Sequence, residues 1–136
     1  MEITTRKFRT SKNQTGALTF IEGCRDIPFE IKRVYYIYDA ASGKRRGFHA
    51  HKTLEQYLIC VHGSCKILLD SGTERRTAQL TKPHDGLYIG PGIWHEMYDF
   101  SDGAVLLVVA SDYYREDDYI RDYQAFLEYV RNEGMR

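Results

Sequence analysis

Apolar and polar residues alternate in short stretches along most of the chain, and turn residues separate these stretches. Predicted strands cover residues 3–8, 17–22, 31–38, 65–69, 75–80, 86–89, 94–100 and 104–111. A longer strand is expected to run from His49 and His51 to Cys60, before a turn at His62 and Gly63. Many short strands with turn signals about every eight to twelve residues favour an antiparallel sandwich or barrel.

Turn-forming residues and one helical pattern complete the prediction. Clusters rich in Gly, Pro, Asp and Ser predict turns at residues 11–16, 24–28, 70–72, 81–85 and 90–92. After Asp117, apolar residues recur at helical spacing, at Ile120, Tyr123, Leu127 and Val130. We expect a C-terminal α-helix with Asp117 as its cap and one domain over residues 1–136.

The composition excludes several classes of partner. Formal net charge is zero over 136 residues, so no basic excess suggests nucleic acid or an anionic membrane. No apolar run approaches the length of a bilayer span, and Met1 is followed by polar residues rather than a signal peptide. Three cysteines without CxxC spacing fit reduced thiols. We therefore expect a cytoplasmic protein.

Two histidines one residue apart are the main chemical signal. Residues two apart in a strand point to the same face, so His49 and His51 should lie side by side. Such a pair indicates either a metal site or a proton-transfer site, unless both lie on an exposed edge strand. By the same alternation, Arg33, Tyr35 and Ile37 share one face of the strand at residues 31–38.

Two segments resemble the motifs of the cupin superfamily, which face each other across a small jelly-roll barrel. The matching positions are Gly43, His49, Ala50, His51 and Gly63, then Gly86, Pro91 and His95. Many cupins bind a divalent metal through three such histidines and a glutamate. Here Gln56 occupies the glutamate position, with Glu55 beside it, and a neutral amide is a poor ligand for such a cation. We therefore expect no metal.

A closer resemblance covers about residues 27–123. The segments KRVYYIYD, RGFHAHKTLEQ, GLYIGPGIWHEM and ASDYY…DYIRDY resemble the metal-independent dTDP-4-keto-6-deoxyglucose 3,4-ketoisomerases, which are related in fold to the dTDP-sugar 3,5-epimerases. The resemblance implies a mainly β, cupin-type jelly roll and a dTDP-sugar substrate without a cofactor. It also implies a homodimer that exchanges N-terminal strands, in a pathway to deoxyaminosugars of bacterial surface glycans.

The reaction of that family suits the histidine pair. Moving a carbonyl from C4 to C3 requires a base at C3 and an acid at C4, and no redox cofactor. Histidine suits both roles because its ordinary pKa is near 6.5. We expect His49 to be the base at C3 and His51 its partner, although the two roles are interchangeable at this stage. Tyr35 is a candidate donor to the enolate oxygen.

The substrate-binding expectations rest on charge and on aromatic surface. Arg33 and Arg46 are the candidates for the diphosphate, since arginine binds phosphate through two parallel hydrogen bonds; the alternative for each is a solvated surface arginine. The other expected substrate-binding residues are Gln56, Tyr88, Trp94 and His95. Tyr88 and Trp94 would stack on the base or border the sugar, unless Trp94 is a core residue. His95 is expected at the barrel mouth opposite His49, where it would help to set the configuration at C4.

One departure and three alternatives accompany this prediction. Relatives often carry arginine before the glycine of the first turn, where this chain has Thr15, so the C4 configuration, gluco or galacto, stays open. The alternatives are a sugar-nucleotide 3,5-epimerase, a metal-dependent cupin enzyme such as a dioxygenase, and a non-catalytic sugar-nucleotide-binding protein. The two histidines argue against the epimerase, which typically pairs one histidine with a tyrosine, and Gln56 argues against the metal enzyme.

Overall fold

The computed structural model describes residues 1–134, which form twelve strands and one α-helix. The first strands are β1 (Thr5–Lys7), β2 (Thr10–Asn13), β3 (Gly16–Thr19), β4 (Arg33–Ile37), β5 (Arg46–His51) and β6 (Gln56–His62). They are followed by β7 (Cys65–Asp70), β8 (Arg75–Leu80), β9 (Asp85–Ile89), β10 (Trp94–Tyr98) and β11 (Val105–Ala110). A 3₁₀ turn (Glu116–Asp118), β12 (Tyr119–Ile120) and α1 (Tyr123–Gly134) end the described chain.

Ten of these strands form two antiparallel sheets. The strand order is β1-β9-β6-β11-β4 in one sheet and β12-β5-β10-β7-β8 in the other, and β2 pairs only with β3. Apolar side chains from both sheets make the main core, including Leu58, Ile67, Leu87 and Leu106. Each buried side chain of this size contributes about 1.5–3 kcal/mol. The predicted fold class, a mainly β cupin-type jelly roll with a C-terminal helix, is confirmed.

The predicted long histidine strand is wrong, because it is two strands in different sheets. The chain leaves β5 after His51, turns through residues 52–55 and enters the other sheet as β6. The Asp118 carboxylate fixes this turn: it accepts hydrogen bonds from the backbone N–H groups of Thr53 and Leu54 and from the Thr53 hydroxyl. A partner 64 or more residues away in the chain therefore breaks the strand, and the local pattern did not reveal it.

The C-terminal helix begins later than predicted. Residues 116–118 form the 3₁₀ turn, and Ile120 lies in β12, which pairs with Ala50 and His51 of β5. The cap is Asp122 rather than Asp117, since Asp122 Oδ2 accepts the Ala125 N–H at 2.9 Å. Within residues 1–134, no helix combines the length and the apolar character that crossing a membrane requires.

The predicted turn over residues 11–16 is mostly a hairpin. Strands β2 and β3 pair from Thr10–Thr19 to Asn13–Gly16, and only two residues form the turn. The Asn13 side chain stabilises that turn by accepting the Thr15 N–H at 2.9 Å. Thr15 is therefore at the tip of an exposed hairpin, which lies outside both sheets.

Candidate active site

A cavity of about 550 Å³ opens beside the edge strand β4. Its lining comes from β4, from β5, from Met97 of β10 and from the segment that precedes the helix. The polar residues that line it are Arg33, Tyr35, Tyr36, Arg46, His49, Tyr114, Tyr119 and Arg121. This size is within the usual range for small-ligand sites, and the lining is richer in cations than most.

A β-bulge brings Arg46 and His49 to the same face of β5. On β10, His95 pairs with His49 and Met97 pairs with Arg46, so β5 has one residue more than β10 between these pairs. That residue, Phe48, has a φ of 60°, and Gly47 before it has a φ of 95°. In a regular strand, residues three apart point to opposite faces. The bulge removes that alternation and directs both side chains toward the cavity.

His49 and His51 lie close together with different surroundings. Their ring centroids are 5.0 Å apart, and His49 lines the cavity while His51 is buried behind it. His49 Nδ1 lies 3.0 Å from the Gly47 carbonyl, which can only accept, so Nδ1 carries the proton and Nε2 keeps a free lone pair. Burial lowers the pKa of His49, and burial together with the neighbouring His49 lowers that of His51 to about 4. Both rings are therefore neutral near pH 7.

Asp118 is the acidic neighbour of this pair. His51 Nδ1 lies 3.3 Å from Asp118 Oδ2, although neither ring nitrogen of His51 has a hydrogen bond of good geometry within the described chain. Burial alone would raise the pKa of Asp118, but hydrogen bonds from Thr53 and Leu54 hold it below its ordinary value. An ionised carboxylate next to His51 stabilises the protonated ring, as a base needs after it has taken a proton.

Three polar residues lie beneath the histidine pair, and we call the half-buried Tyr35 and the buried Gln56 and His95 the floor. The Tyr35 hydroxyl donates to Gln56 Oε1 at 3.2 Å, and Gln56 Nε2 lies 3.3 Å from His95 Nε2. His95 Nδ1 lies 3.2 Å from the Ile93 carbonyl. Burial raises the pKa of Tyr35 to about 12 and lowers that of His95 well below its ordinary value. The floor is therefore a neutral, internally bonded network.

Three arginines line the cavity above the floor, and we call Arg33, Arg46 and Arg121 the rim. Arg33 Nε is buried and has no hydrogen-bond partner within residues 1–134, while the guanidinium stacks over Tyr35 and Tyr114. Arg121 stacks over Tyr119 at 4.2 Å and donates twice to Glu116, whose pKa falls to about 2 because of these hydrogen bonds. A buried guanidinium nitrogen without a partner points to an anionic ligand.

The structure brings most of the predicted site residues together and places others elsewhere. Arg33, Tyr35, Arg46 and His49 line the cavity, and Gln56 and His51 lie directly behind it. Trp94 is in the core on the helix side of its sheet, where its ring packs against Tyr123 and Phe126. It faces away because it is one residue from His95 on β10, and neighbouring residues of a strand point to opposite faces.

The structure places Tyr88 and His95 differently from the prediction. Tyr88 donates a hydrogen bond to Glu55 at 2.7 Å and borders a different hollow, near Met1, so it does not line the histidine cavity. His95 is fully buried and pairs with His49 in the same sheet, with ring centroids 4.6 Å apart, rather than lying opposite it at the mouth. The order of the strands determines both positions, and the order could not be derived from the pattern.

The sequence analysis missed Tyr114, Tyr119 and Arg121, which line the cavity, and Asp118 beside His51. Tyr119 pairs with His51 across two strands, and its ring lies 4.4 Å from that of His51 and 4.9 Å from that of His49. The sequence did contain a signal for Tyr119 and Arg121, because they are two residues apart and would share one face of a strand. The helical spacing that begins at Ile120 concealed it.

The histidine cluster does not fit a divalent metal. His49, His51 and His95 each offer a nitrogen, and these atoms lie within 4.8 Å of one another. However, His95 Nε2 lies 3.3 Å from the amide nitrogen of Gln56. Three imidazoles can hold a divalent metal only while each keeps a free lone pair, and in this cluster the Gln56 amide occupies that of His95.

Comparisons with known proteins agree with this geometry. A protein-family model described as "FdtA: WxcM-like, C-terminal" matches residues 1–131. The TDP-4-oxo-6-deoxy-alpha-D-glucose-3,4-oxoisomerase of Aneurinibacillus thermoaerophilus is 50% identical over 130 residues, which are 96% of this chain and 94% of the relative. The chain belongs to this family. The predictions of a 3,4-ketoisomerase family and of an isomerase are thereby confirmed.

Solved structures place the FdtA-family chain in the same group. It superimposes on the 3,4-ketoisomerase QdtA of Thermoanaerobacterium thermosaccharolyticum, solved in complex with TDP, with a TM-score of 0.94, 48% identity and 96% of each chain covered. The 3'-monoepimerase ChmJ of Streptomyces bikiniensis has a TM-score of 0.75 at 13% identity, covering 88% of this chain and 68% of ChmJ. The second likeness shows the fold alone.

Proposed function

We propose that this chain is a sugar-nucleotide 3,4-ketoisomerase that converts dTDP-4-keto-6-deoxyglucose to the 3-keto isomer. The observation that carries the proposal is the neutral histidine pair at the base of a cavity with three arginines. The names of the relatives support the substrate: one is a TDP-4-oxo-6-deoxyglucose 3,4-oxoisomerase, and QdtA was solved with TDP.

His49 is the base that removes the proton from C3. It borders the cavity, and its free Nε2 is available to a substrate, because Nδ1 donates to the Gly47 carbonyl. Removing that proton gives an enediolate between C3 and C4. General base help of this kind is worth about 10²–10⁴-fold in rate.

His51 is the partner that completes the isomerisation. A proton is added at C4 while the hydroxyl proton of O3 is transferred to O4, so the C3–H and O3–H bonds break and the C4–H and O4–H bonds form. The Asp118 carboxylate at 3.3 Å stabilises the charged form of His51 between these transfers. The electrons stay within the sugar, so the reaction needs no redox cofactor.

The rim binds the diphosphate and supports the negative charge of the enediolate. Arg33 and Arg46 were expected in this role, and Arg121 joins them. The Tyr35 hydroxyl already donates to Gln56, so its proton serves the floor rather than an enolate oxygen. Preorganised cations in a partly dry cavity are the stronger stabilisers here.

The biological setting is part of the proposal. The product would be a substrate for amino transfer in the synthesis of deoxyaminosugars for bacterial surface glycans, as the family resemblance implies. The enzyme would work without metal in the cytoplasm, where its three free cysteines would stay reduced. The contact of Gln56 Nε2 with His95 Nε2, 3.3 Å apart, supports the metal-independent route.

A homodimer with exchanged N-terminal strands is also proposed. The β2–β3 hairpin lies outside both sheets, and Leu18 on it is 60% exposed. Edge strand β4 presents Val34 and Tyr36, which are 55% and 60% exposed. Two exposed apolar patches of this kind, on an isolated hairpin and on an open sheet edge, suit a second copy of the chain. Light scattering of the wild type and of Val34→Glu tests whether β4 is part of a dimer interface. A dimeric wild type with a monomeric variant supports the dimer, and a monomeric wild type refutes it.

The central test is NMR of chelator-treated protein incubated with dTDP-4-keto-6-deoxyglucose in D₂O. We expect a 3-keto product with deuterium at C4, and the coupling constants at C4 will assign its configuration. Exchange at C3 and C5 with the carbonyl still at C4 would instead indicate an epimerase. An unchanged substrate that still binds would indicate a non-catalytic binding protein, and activity that returns only with added metal would indicate a metal enzyme.

A further inference from the structure

The three histidines at the cavity differ in what their ring nitrogens contact. In His49 the Nε2 lone pair is free, since Nδ1 lies 3.0 Å from the Gly47 carbonyl. In His95 the Nδ1 atom lies 3.2 Å from the Ile93 carbonyl. A carbonyl oxygen only accepts hydrogen bonds, so the proton of His95 is on Nδ1 and the lone pair is on Nε2. That lone pair is the one a metal ion would need.

Gln56 contacts this lone pair with its amide nitrogen. Gln56 Nε2 lies 3.3 Å from His95 Nε2, and the other end of the amide, Oε1, accepts from the Tyr35 hydroxyl at 3.2 Å. The opposite amide orientation would set Oε1 against the His95 lone pair, with no proton between them. The Ile93 carbonyl therefore fixes the ring, the ring fixes the amide, and the amide fixes the Tyr35 hydroxyl.

We propose that Gln56 excludes divalent metals from the His49–His51–His95 cluster. It does so in two ways: its N–H group occupies the lone pair of His95, and its neutral amide takes the place of a carboxylate that would strengthen metal binding. Gln56 is completely buried, so water does not compete with either contact. A cavity with three imidazole nitrogens within 4.8 Å would otherwise attract zinc, iron or cobalt.

The proposal predicts that one substitution converts the cluster into a metal centre. Gln56→Glu replaces the amide with a carboxylate ligand and removes the donor from His95. Gln56→Leu removes the whole amide, including the acceptor for the Tyr35 hydroxyl, so it frees the lone pair of His95 without adding a ligand. We therefore expect Co²⁺ affinity to increase in the order wild type, Gln56→Leu, Gln56→Glu. Single groups around metal ligands commonly change affinity by about 10–100-fold, and the full gain should be at least about 100-fold.

The experiment is a Co²⁺ titration of the three chelator-treated proteins, followed by the visible absorption of bound cobalt. Circular dichroism establishes that each variant is folded. The expected result is one tightly bound cobalt in Gln56→Glu, weaker binding in Gln56→Leu and none in the wild type over the same range. Wild-type binding within about tenfold of Gln56→Glu would overturn the proposal, as would a folded Gln56→Glu that binds no cobalt.

Two further readouts separate the parts of the argument. If Gln56→Leu binds cobalt no better than the wild type, then the contact with His95 does not exclude the metal. Nitrogen-15 NMR of the wild-type histidines reports the tautomer of His95 directly, and a proton on Nε2 would also overturn the proposal. None of these measurements uses turnover, so their outcome is independent of the proposed ketoisomerase function.

Discussion

The floor and the rim of the cavity are both polar, but they differ in what satisfies their polar groups. In the floor, Tyr35, Gln56 and His95 bond to one another and to the backbone. In the rim, Arg121 donates to Glu116, but Arg33 Nε is buried without a hydrogen-bond partner within residues 1–134. Satisfied polar groups fix a shape, whereas an unsatisfied buried group costs free energy that a ligand can recover. The comparison therefore assigns structure to the floor and binding to the rim.

The largest effect should come from the histidine that lies between the floor and the rim. His49→Ala removes the proposed base while leaving the arginines in place, so we expect turnover to fall by about 10²–10⁴-fold. TDP affinity should change little. Steady-state kinetics and calorimetric titration with TDP measure the two quantities.

His62→Ala is the matched control for that experiment, because His62 is exposed at the end of β6 and its Nδ1 lies 2.9 Å from the Gly103 carbonyl. It should keep wild-type turnover. If His49→Ala retains activity, then His49 is not the base, and the same assay on His51→Ala decides whether the pair has any catalytic role.

The second effect should be on binding. Arg33→Ala removes a cation whose hydrogen bonds to phosphate are worth about 1.5–3 kcal/mol, so we expect TDP affinity to fall by about 10–150-fold. The free energy of unfolding should fall by no more than about 1–2 kcal/mol, since Arg33 Nε has no hydrogen bond to lose and the guanidinium only stacks over Tyr35 and Tyr114. Arg25→Ala, on an exposed loop, is the control. If the Arg33→Ala protein binds TDP normally, then Arg33 does not bind the diphosphate.

The third effect should be on stability. Tyr35→Phe deletes the hydroxyl that donates to Gln56 Oε1 and leaves a buried acceptor unsatisfied, which costs about 1–3 kcal/mol. Urea unfolding measures the difference. Tyr38→Phe is the control on the same segment, because Tyr38 is 61% exposed and should be within about 0.5 kcal/mol of the wild type. Equal stability of the two variants would show that the floor is not a bonded network.

The smallest effect should be seen in the pH profile. The pKa of His51 is lowered to about 4 and that of His49 is also lowered, so both bases stay neutral below pH 6.5. The acidic limb of kcat/KM should therefore lie below the ordinary histidine pKa of about 6.5. A kinetic limb at or above pH 6.5 would contradict this expectation.

The same lowered pKa values also affect stability. Unfolding the chain restores the ordinary pKa of these histidines, so the unfolded chain binds more protons between about pH 6.5 and 4. The free energy of unfolding should therefore fall as the pH falls through that range.

Alternation along single strands predicted the site well where a strand is regular. Arg33, Tyr35 and Ile37 do share one face of β4, while Val34 and Tyr36 are exposed on the other. His49 and His51 also point to the same side. In these cases the local period of two decides the direction of each side chain, so the sequence was sufficient.

The sequence failed where distant segments meet. The carboxylate that interrupts the histidine strand belongs to Asp118, and Tyr119 reaches the site only because β12 pairs with β5. Neither contact leaves a local pattern near His51. The pattern placed Ile120 in a helix, but in the structure Ile120 pairs with Ala50 in a strand. Tertiary contacts commonly outweigh local preference in this way.

The bulge in β5 frees the site from the usual strand period of two. Arg46 and His49 are three residues apart, yet both face the cavity because β10 has one residue fewer between their partners. An extra residue normally turns every following side chain of a strand to the other face. Here the backbone at Gly47 and Phe48, with φ of 95° and 60°, accommodates it instead. Deleting Phe48 would leave Arg46 and His49 two residues apart in a regular strand, still on one face. In searches for enzymes of this kind, chains with one residue fewer between this arginine and this histidine should therefore be kept as candidates.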